Sequence, residues 1–293
     1  MRVSVVMGCA GVAVVLLAFG VVAPYGSISA STARSRLASD TAAAAAQQPL
    51  LRPRPVSFSS PGFHSWALLN TRTGKITGSD NSTAISDTAS MVKAWLAADY
   101  LRLAAQRDEK PTAARMNDLS IMIRDSDNDA AERIYRLNGG TASIQRLIRV
   151  CRLTQTSAVP GLWSETRTSA PDAVRMGGCL ADGRAAGPQW TRWVLTEMRR
   201  VRGDGRFGII KALPAAAAAT TAIKNGWLLR DDDGLWHVNC LAIGDGWALA
   251  VMLRYPGSLG FEHGGTVCRS VATQLMDPAV ATGASQRAAA QGR

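Results

Sequence analysis

Asp87-Thr88-Ala89-Ser90-Met91-Val92-Lys93 is the stretch on which the reading of this chain turns. Asp87 or Thr88 is of the type that caps a helix start. Behind them Met91, Val92, Trp95, Leu96, Tyr100, Leu101 and Leu103 recur at helical spacing and predict one broad buried stripe. Ser90 then falls in the first turn, with Lys93 three residues on and on the same face. A serine hydroxyl is a weak nucleophile until a base takes its proton, and a desolvated lysine can do so. The helix N-terminus adds a positive field where an oxyanion would form. Taken alone, S-x-x-K is a common spacing, read equally well as a capping serine and a solvated charge.

Two later stretches change that balance. A helical run from Thr112 to Arg124 precedes Ser126-Asp127-Asn128, on a loop before a short helix that ends at Leu137. Lys224-Asn225-Gly226 falls in Thr220–Leu229, the first of three strand-like runs, followed by Leu235–Ile243 and Trp247–Tyr255. Each motif alone is ordinary: Ser126 or Asp127 is a helix cap, and K-N-G carries almost no information. In order, and each on its kind of element, they describe one reaction. Ser126 relays a proton to a leaving amine beside the Lys224 ammonium. Asn128 grips a substrate carbonyl and steadies Lys93. Gly226 lets a substrate amide pair along the strand edge. The N–H groups of Ser90 and Trp227 form an oxyanion hole, in which losing one donor costs about 3 kcal/mol.

With these three in place, the chain resembles the penicillin-recognising serine hydrolases, in their class A β-lactamase-like branch, whose elements are S-x-x-K, S-D-N and K-[ST]-G. The resemblance covers about Phe63 to Met276. It implies a β-lactamase/DD-peptidase-like fold and acyl transfer. Ser90 attacks a β-lactam or a D-alanyl-D-alanine-type peptide amide of peptidoglycan, with Lys93 and Ser126 as its catalytic partners. Three departures stand out. Asn225 replaces the family's Ser or Thr, whose hydroxyl helps hold the substrate carboxylate. Thirty-six positions separate Ser90 from Ser126, fewer than in class A enzymes. The one candidate for the deacylating glutamate is Glu165, in Leu162-Trp163-Ser164-Glu165-Thr166-Arg167, without the E-P-x-L-N context and in a short loop. A surface carboxylate paired with Arg167 is the simpler reading of Glu165, and a missing base predicts a persistent acyl-enzyme. The alternative from another class is a catalytically weak penicillin- or cell-wall-binding module that keeps the fold.

Outward from the motifs, strands at both ends of the folded part bracket helices in the middle. That order predicts an α+β architecture, an antiparallel sheet flanked by helices with an inserted all-helical subdomain. Its extent is read as residues 58–281. A hairpin of Trp66–Asn70 and Lys75–Gly78 opens it, and a helix at Phe261–Met276 closes it. Before it, residues 1–30 contain an apolar run from Val3 to Ala23, a signal peptide or a membrane anchor. Cys9 lies inside this run. Residues 31–57, rich in Ala, Ser, Gln and Pro, read as a flexible linker, and residues 282–293 as a disordered tail.

The chain of 293 residues is 47% hydrophobic, enough for a sizeable core, and carries a formal charge of +11. That charge suits an anionic cell envelope. Nucleic acid is set aside, because the arginines are dispersed and no basic run is interleaved with aromatics. Contact with a membrane is expected only through an uncleaved N-terminal segment. The chain is read as secreted or envelope-associated, which makes Cys151, Cys179, Cys240 and Cys268 disulfide candidates with three possible connectivities. Cys151 and Cys179 both fall in the helical subdomain; Cys240 is on the middle meander strand and Cys268 on the helix expected to cover it. The pairing expected is therefore Cys151–Cys179 and Cys240–Cys268. No metal or other cofactor is expected, since there is no C-x-x-C and the three histidines are scattered.

Overall fold

Strands buried along most of their length, rather than in alternation, mark a sheet covered on both faces. In β1 (Phe63–Asn70) every residue from Ser65 to Leu69 is buried, and β7 (Leu235–Gly244) and β8 (Trp247–Pro256) are buried in the same continuous way. The computed structural model, which describes residues 49–279, builds the main sheet from these. The order is β2 (Ile76–Gly78), β1, β8, β7, β5 (Ala222–Ile223), with β6 (Gly226–Leu229) also on β7. All pairings are antiparallel, with Trp66 opposite Val251 in β1–β8 and Cys240 opposite Val251 in β7–β8. A two-stranded sheet joins β3 (Ser86–Asp87) to β4 (Arg167–Thr168).

The helices lie between β3 and β5 and after β8. They are α1 (Lys93–Gln106), α2 (Ala113–Arg124), α3 (Asn128–Leu137), α4 (Thr141–Cys151), α5 (Ala170–Ala181), α6 (Thr191–Arg199), α7 (Ala215–Thr220) and α8 (Phe261–Leu275). This is the α+β arrangement read from the element order, an antiparallel sheet flanked by helices. Helix starts follow local chemistry: Thr112, Asp127 and Ser169 each accept a backbone N–H of the first turn. No helix among the described residues is long and apolar enough to cross a membrane.

Several expectations are corrected. Helix α1 buries more than one stripe: Ala94, Trp95, Leu96, Ala97 and Ala98 are all inaccessible, while Tyr100 and Leu103 stay partly exposed. Its alanines let neighbouring helices approach on several sides, so α1 runs through the core instead of along its edge. Residues 49–57 are not linker. Leu50 and Leu51 are buried, Leu51 bridges Met276, Arg52 N donates to Leu275 O, and Ser57 N donates to Gln274 Oε1. Apolar side chains ahead of Pro53 supply the burial that composition alone hides. The predicted single strand Thr220–Leu229 is the end of α7 followed by two short strands, with Lys224 and Asn225 in the gap. The segment expected as signal or anchor (1–30), the rest of the linker and the tail (282–293) lie outside the described residues.

Two disulfides brace these layers. Cys151 at the end of α4 joins Cys179 of α5, and Cys240 of β7 joins Cys268 of α8. The first ties the helical part to the helix beneath the sheet; the second ties the sheet to the helix on its other face.

Candidate active site

Ser90 sits in a tight 3₁₀ turn, Ala89–Val92, that runs directly into α1. Ala89 holds φ at +43°, a left-handed conformation uncommon for a residue with a side chain. Neither Asp87 nor Thr88 caps this start through its side chain. Instead Asp87 Oδ2 accepts from Arg230 Nη2 at 2.9 Å and lies 2.6 Å from His237 Nδ1, and Asn239 Nδ2 donates to Asp87 O at 3.0 Å. Asp87 is thus a tether from the turn to β7 and to the residue that follows β6, a role that residues 143 or more positions away decide.

Lys93 is fully buried beneath this turn. Its Nζ donates to Ser126 O, to Asn128 Oδ1 at 2.7 Å and to Ser126 Oγ at 3.3 Å. Lys224, also fully buried, donates to Ser126 Oγ at 2.9 Å and to Asn225 O at 3.1 Å. The residues of three motifs, far apart in sequence, therefore share one hydroxyl. Ser126, like Ala89, is left-handed, at φ +60°, which turns its Oγ and carbonyl toward the two lysines. Burial pushes Lys93 down to about 7, only partly opposed by Asp127. Burial, with the nearby Lys93 charge, also pushes Lys224 well below the usual lysine range. The indole of Trp163 covers Lys93, its ring centroid 5.0 Å from Nζ. No hydrogen bond joins Lys93 to Ser90 Oγ among the described residues.

Ser90 opens onto a cavity of about 340 Å³, lined also by Asn128, Glu132, Trp163, Trp227 and Leu228. A larger cavity, about 750 Å³, lies between residues 53–58 and β1–β2, and no motif residue reaches it. The smaller one is where residues of the first two motifs, Ser90 and Asn128, meet beside Trp227. No cluster of metal-binding side chains occurs among the described residues.

Three predicted residues stand differently. Asn225 does not face the cleft: its Nδ2 donates to Gly205 O and Phe207 O, both at 3.0 Å, and its Oδ1 accepts from Leu241 N at 3.3 Å. Buried behind the strand, it completes the ladder in the gap between β5 and β6 and has no amide hydrogen left for a carboxylate. The backbone that approaches Gly226 closely is the chain's own Ser90 turn. A Cβ there would stand 2.5 Å from Ser90 N and 2.8 Å from both Met91 N and Thr88 O. Trp227 follows it on β6, its ring against Phe207 and Phe261. Glu165 pairs with Arg230 at 3.5 Å rather than with Arg167, and it lines a separate charged cavity with Asp87, Asp233 and His237.

Sequence reasoning missed Trp163, for which no local signal exists, and Glu132. The latter does carry a signal: it lies four residues after Asn128 and hence on the same helix face.

Comparison with known proteins supports the architecture. No family model matches the chain. LppW of Mycobacterium tuberculosis, named as a lipoprotein, is 29% identical over 188 residues, 61% of this chain and 59% of that protein's length. Among solved structures, the extended-spectrum β-lactamase TLA-3 superposes with a TM-score of 0.61 at 14% identity, covering 75% of this chain and 95% of that one. A variant of a reconstructed class A β-lactamase ancestor of Gram-negative bacteria gives 0.57 at 18% identity, covering 80% and 95%. A β-lactamase from Chitinophaga pinensis gives 0.56 at 16%, covering 78% and 95%. At such identities the likeness is one of architecture, and on that ground the chain has the β-lactamase-like fold of the class A enzymes.

Proposed function

We propose that this protein is an exported serine hydrolase that forms an acyl-enzyme at Ser90 with a β-lactam or a peptidoglycan-type peptide amide. The observation that carries the reading is the hydrogen-bonded set of Lys93, Ser126, Asn128 and Lys224 beneath the Ser90 turn. A lysine lowered to about 7 is half neutral near physiological pH and can accept the Ser90 proton. Ser90 Oγ then bonds to the carbonyl carbon, and the carbonyl electron pair moves to oxygen between the N–H groups of Ser90 and Trp227. As the C–N bond breaks, Ser126 passes its proton to the leaving nitrogen and is reprotonated through the lysine pair. Asn128 Oδ1 is occupied by Lys93, which leaves its Nδ2 for the substrate carbonyl. Substrate carboxylate binding falls to groups other than Asn225. The two disulfides suit an exported protein, and the lipoprotein name of LppW supports a cell-envelope location, where the positive charge meets anionic polymers.

The test is the intact mass of the protein after incubation with a penicillin. One adduct is expected, on the peptide containing Ser90 and missing in Ser90→Ala. A second reading, a binding module of weak catalytic power, is favoured by the inward-turned Asn225 and by the absence of a Ser90–Lys93 hydrogen bond. Binding without any adduct would select it.

A further inference from the structure

If Ser90 is acylated as proposed above, release of the product by water calls for a general base, and a carboxylate at the cavity can serve. We infer that this base is Glu132, on α3, and not Glu165. Glu165 is tied to Arg230 in a cavity that Ser90 does not line. Among the described residues, the carboxylates lining the Ser90 cavity are Asp129 and Glu132. Asp129 is adjacent to Asn128 in sequence and so points about 100° around the helix from it. Glu132, four residues on, shares the face of Asn128, whose Oδ1 contacts Lys93 at 2.7 Å.

A second contact places the same carboxylate. Trp163 Nε1 donates to Glu132 Oε2 at 3.1 Å, and the Trp163 ring covers Lys93. Helix face and indole bridge thus converge on one position lining the Ser90 cavity. Arg136 Nε donates to Glu132 Oε1 at 2.7 Å, so each oxygen is oriented by one donor and keeps a lone pair for water. The cavity has room for several waters at about 30 Å³ each.

The step balances without any further reactant. A water between Glu132 and the ester gives a proton to the carboxylate as its oxygen bonds to the acyl carbon. The carbonyl pair moves to oxygen, held by the Ser90 and Trp227 N–H groups. When the pair returns, the bond from carbon to Ser90 Oγ breaks. The proton held by Glu132 then returns to Ser90 Oγ, leaving free enzyme and a carboxylic acid.

The competing role is a tie between α3 and Trp163. Glu132→Gln separates the two, because its amide oxygen still accepts from the indole but cannot take a proton. The experiment follows the Ser90 adduct of benzylpenicillin by intact mass over time, together with steady-state turnover, in the full chain. Glu132→Gln is expected to acylate within a few-fold of wild type and to release the adduct about 10²–10⁴-fold more slowly. Glu132→Asp should recover part of the loss. Glu165→Gln should match wild type. Release from Glu132→Gln at the wild-type rate, or slowing by Glu165→Gln instead, would overturn the assignment while leaving acylation at Ser90 intact. A wild type that forms no adduct would overturn the acyl-enzyme reading and this step with it.

Discussion

Gly226→Ala tests the packing that joins the third motif to the first. A Cβ at this position would meet Ser90 N at 2.5 Å, where ordinary contact begins at 3.4 Å. The obstructing atoms belong to the backbone of the Ser90 turn, so no side chain can swing aside. Relief requires β6 and the turn to separate by about 0.9 Å, the difference between those two distances. The N–H groups of Ser90 and Trp227 sit on the two sides of that opening. Misplacement of about 1 Å in a reacting geometry costs on the order of 10²-fold, equivalent to about 2.7 kcal/mol of barrier. Overpacking of the same kind lowers stability by about 1–3 kcal/mol. The assay is the rate of Ser90 acylation by a labelled penicillin, read beside urea unfolding so that folded protein is compared with folded protein. An acylation rate within threefold of wild type, with an unchanged unfolding midpoint, would refute the reasoning.

Lys93 should govern the pH dependence of acylation, which is expected to rise as pH passes upward through about 7 and then level off; a flat profile from pH 5 to 9 would contradict its role as base. Because burial lowers Lys93 from 10.5, its stabilising contribution is full above about 10.5 and is lost as pH falls toward about 7, measurable as the unfolding difference from Lys93→Met. Asn225→Ala should destabilise by about 1–3 kcal/mol for each buried backbone group it orphans, and Asn225→Thr should not tighten binding of a carboxylate-bearing β-lactam; a gain in affinity would show that the side chain reaches the cleft. Burial works to lower His237, but Asp87 and Asp233 outweigh it and hold it above 6.5. Its contribution is therefore complete below about 6.5 and lost as pH rises through the raised value, so His237→Asn should flatten that slope in thermal unfolding, and an unchanged slope would count against it.

In the sequence alone, the motif residues could be placed on their elements, because helix spacing, caps and turns are local properties of the backbone. Ser90 and Lys93, three positions apart, were legible as a pair, and Ser126-Asp127-Asn128 as the entry to a helix. The cysteine pairing followed from which layer each cysteine occupied. What remained closed depended on contacts between distant segments. Asn225 sits in a strand-like run whose alternation does not reveal a gap in the ladder, so its inward turn depends on Gly205, Phe207 and Leu241 being there to receive it. Asp87 reads as a cap until Arg230 and His237 arrive from the far end of the chain. Glu132 shares a helix face with Asn128 in the spacing alone, but only tertiary packing sets it against Trp163 at the Ser90 cavity and sets Glu165 against Arg230. Lys93 shows the division most simply: its place on the helix is written in a spacing of three, whereas its loss of charge near neutrality comes from burial, which no local pattern encodes.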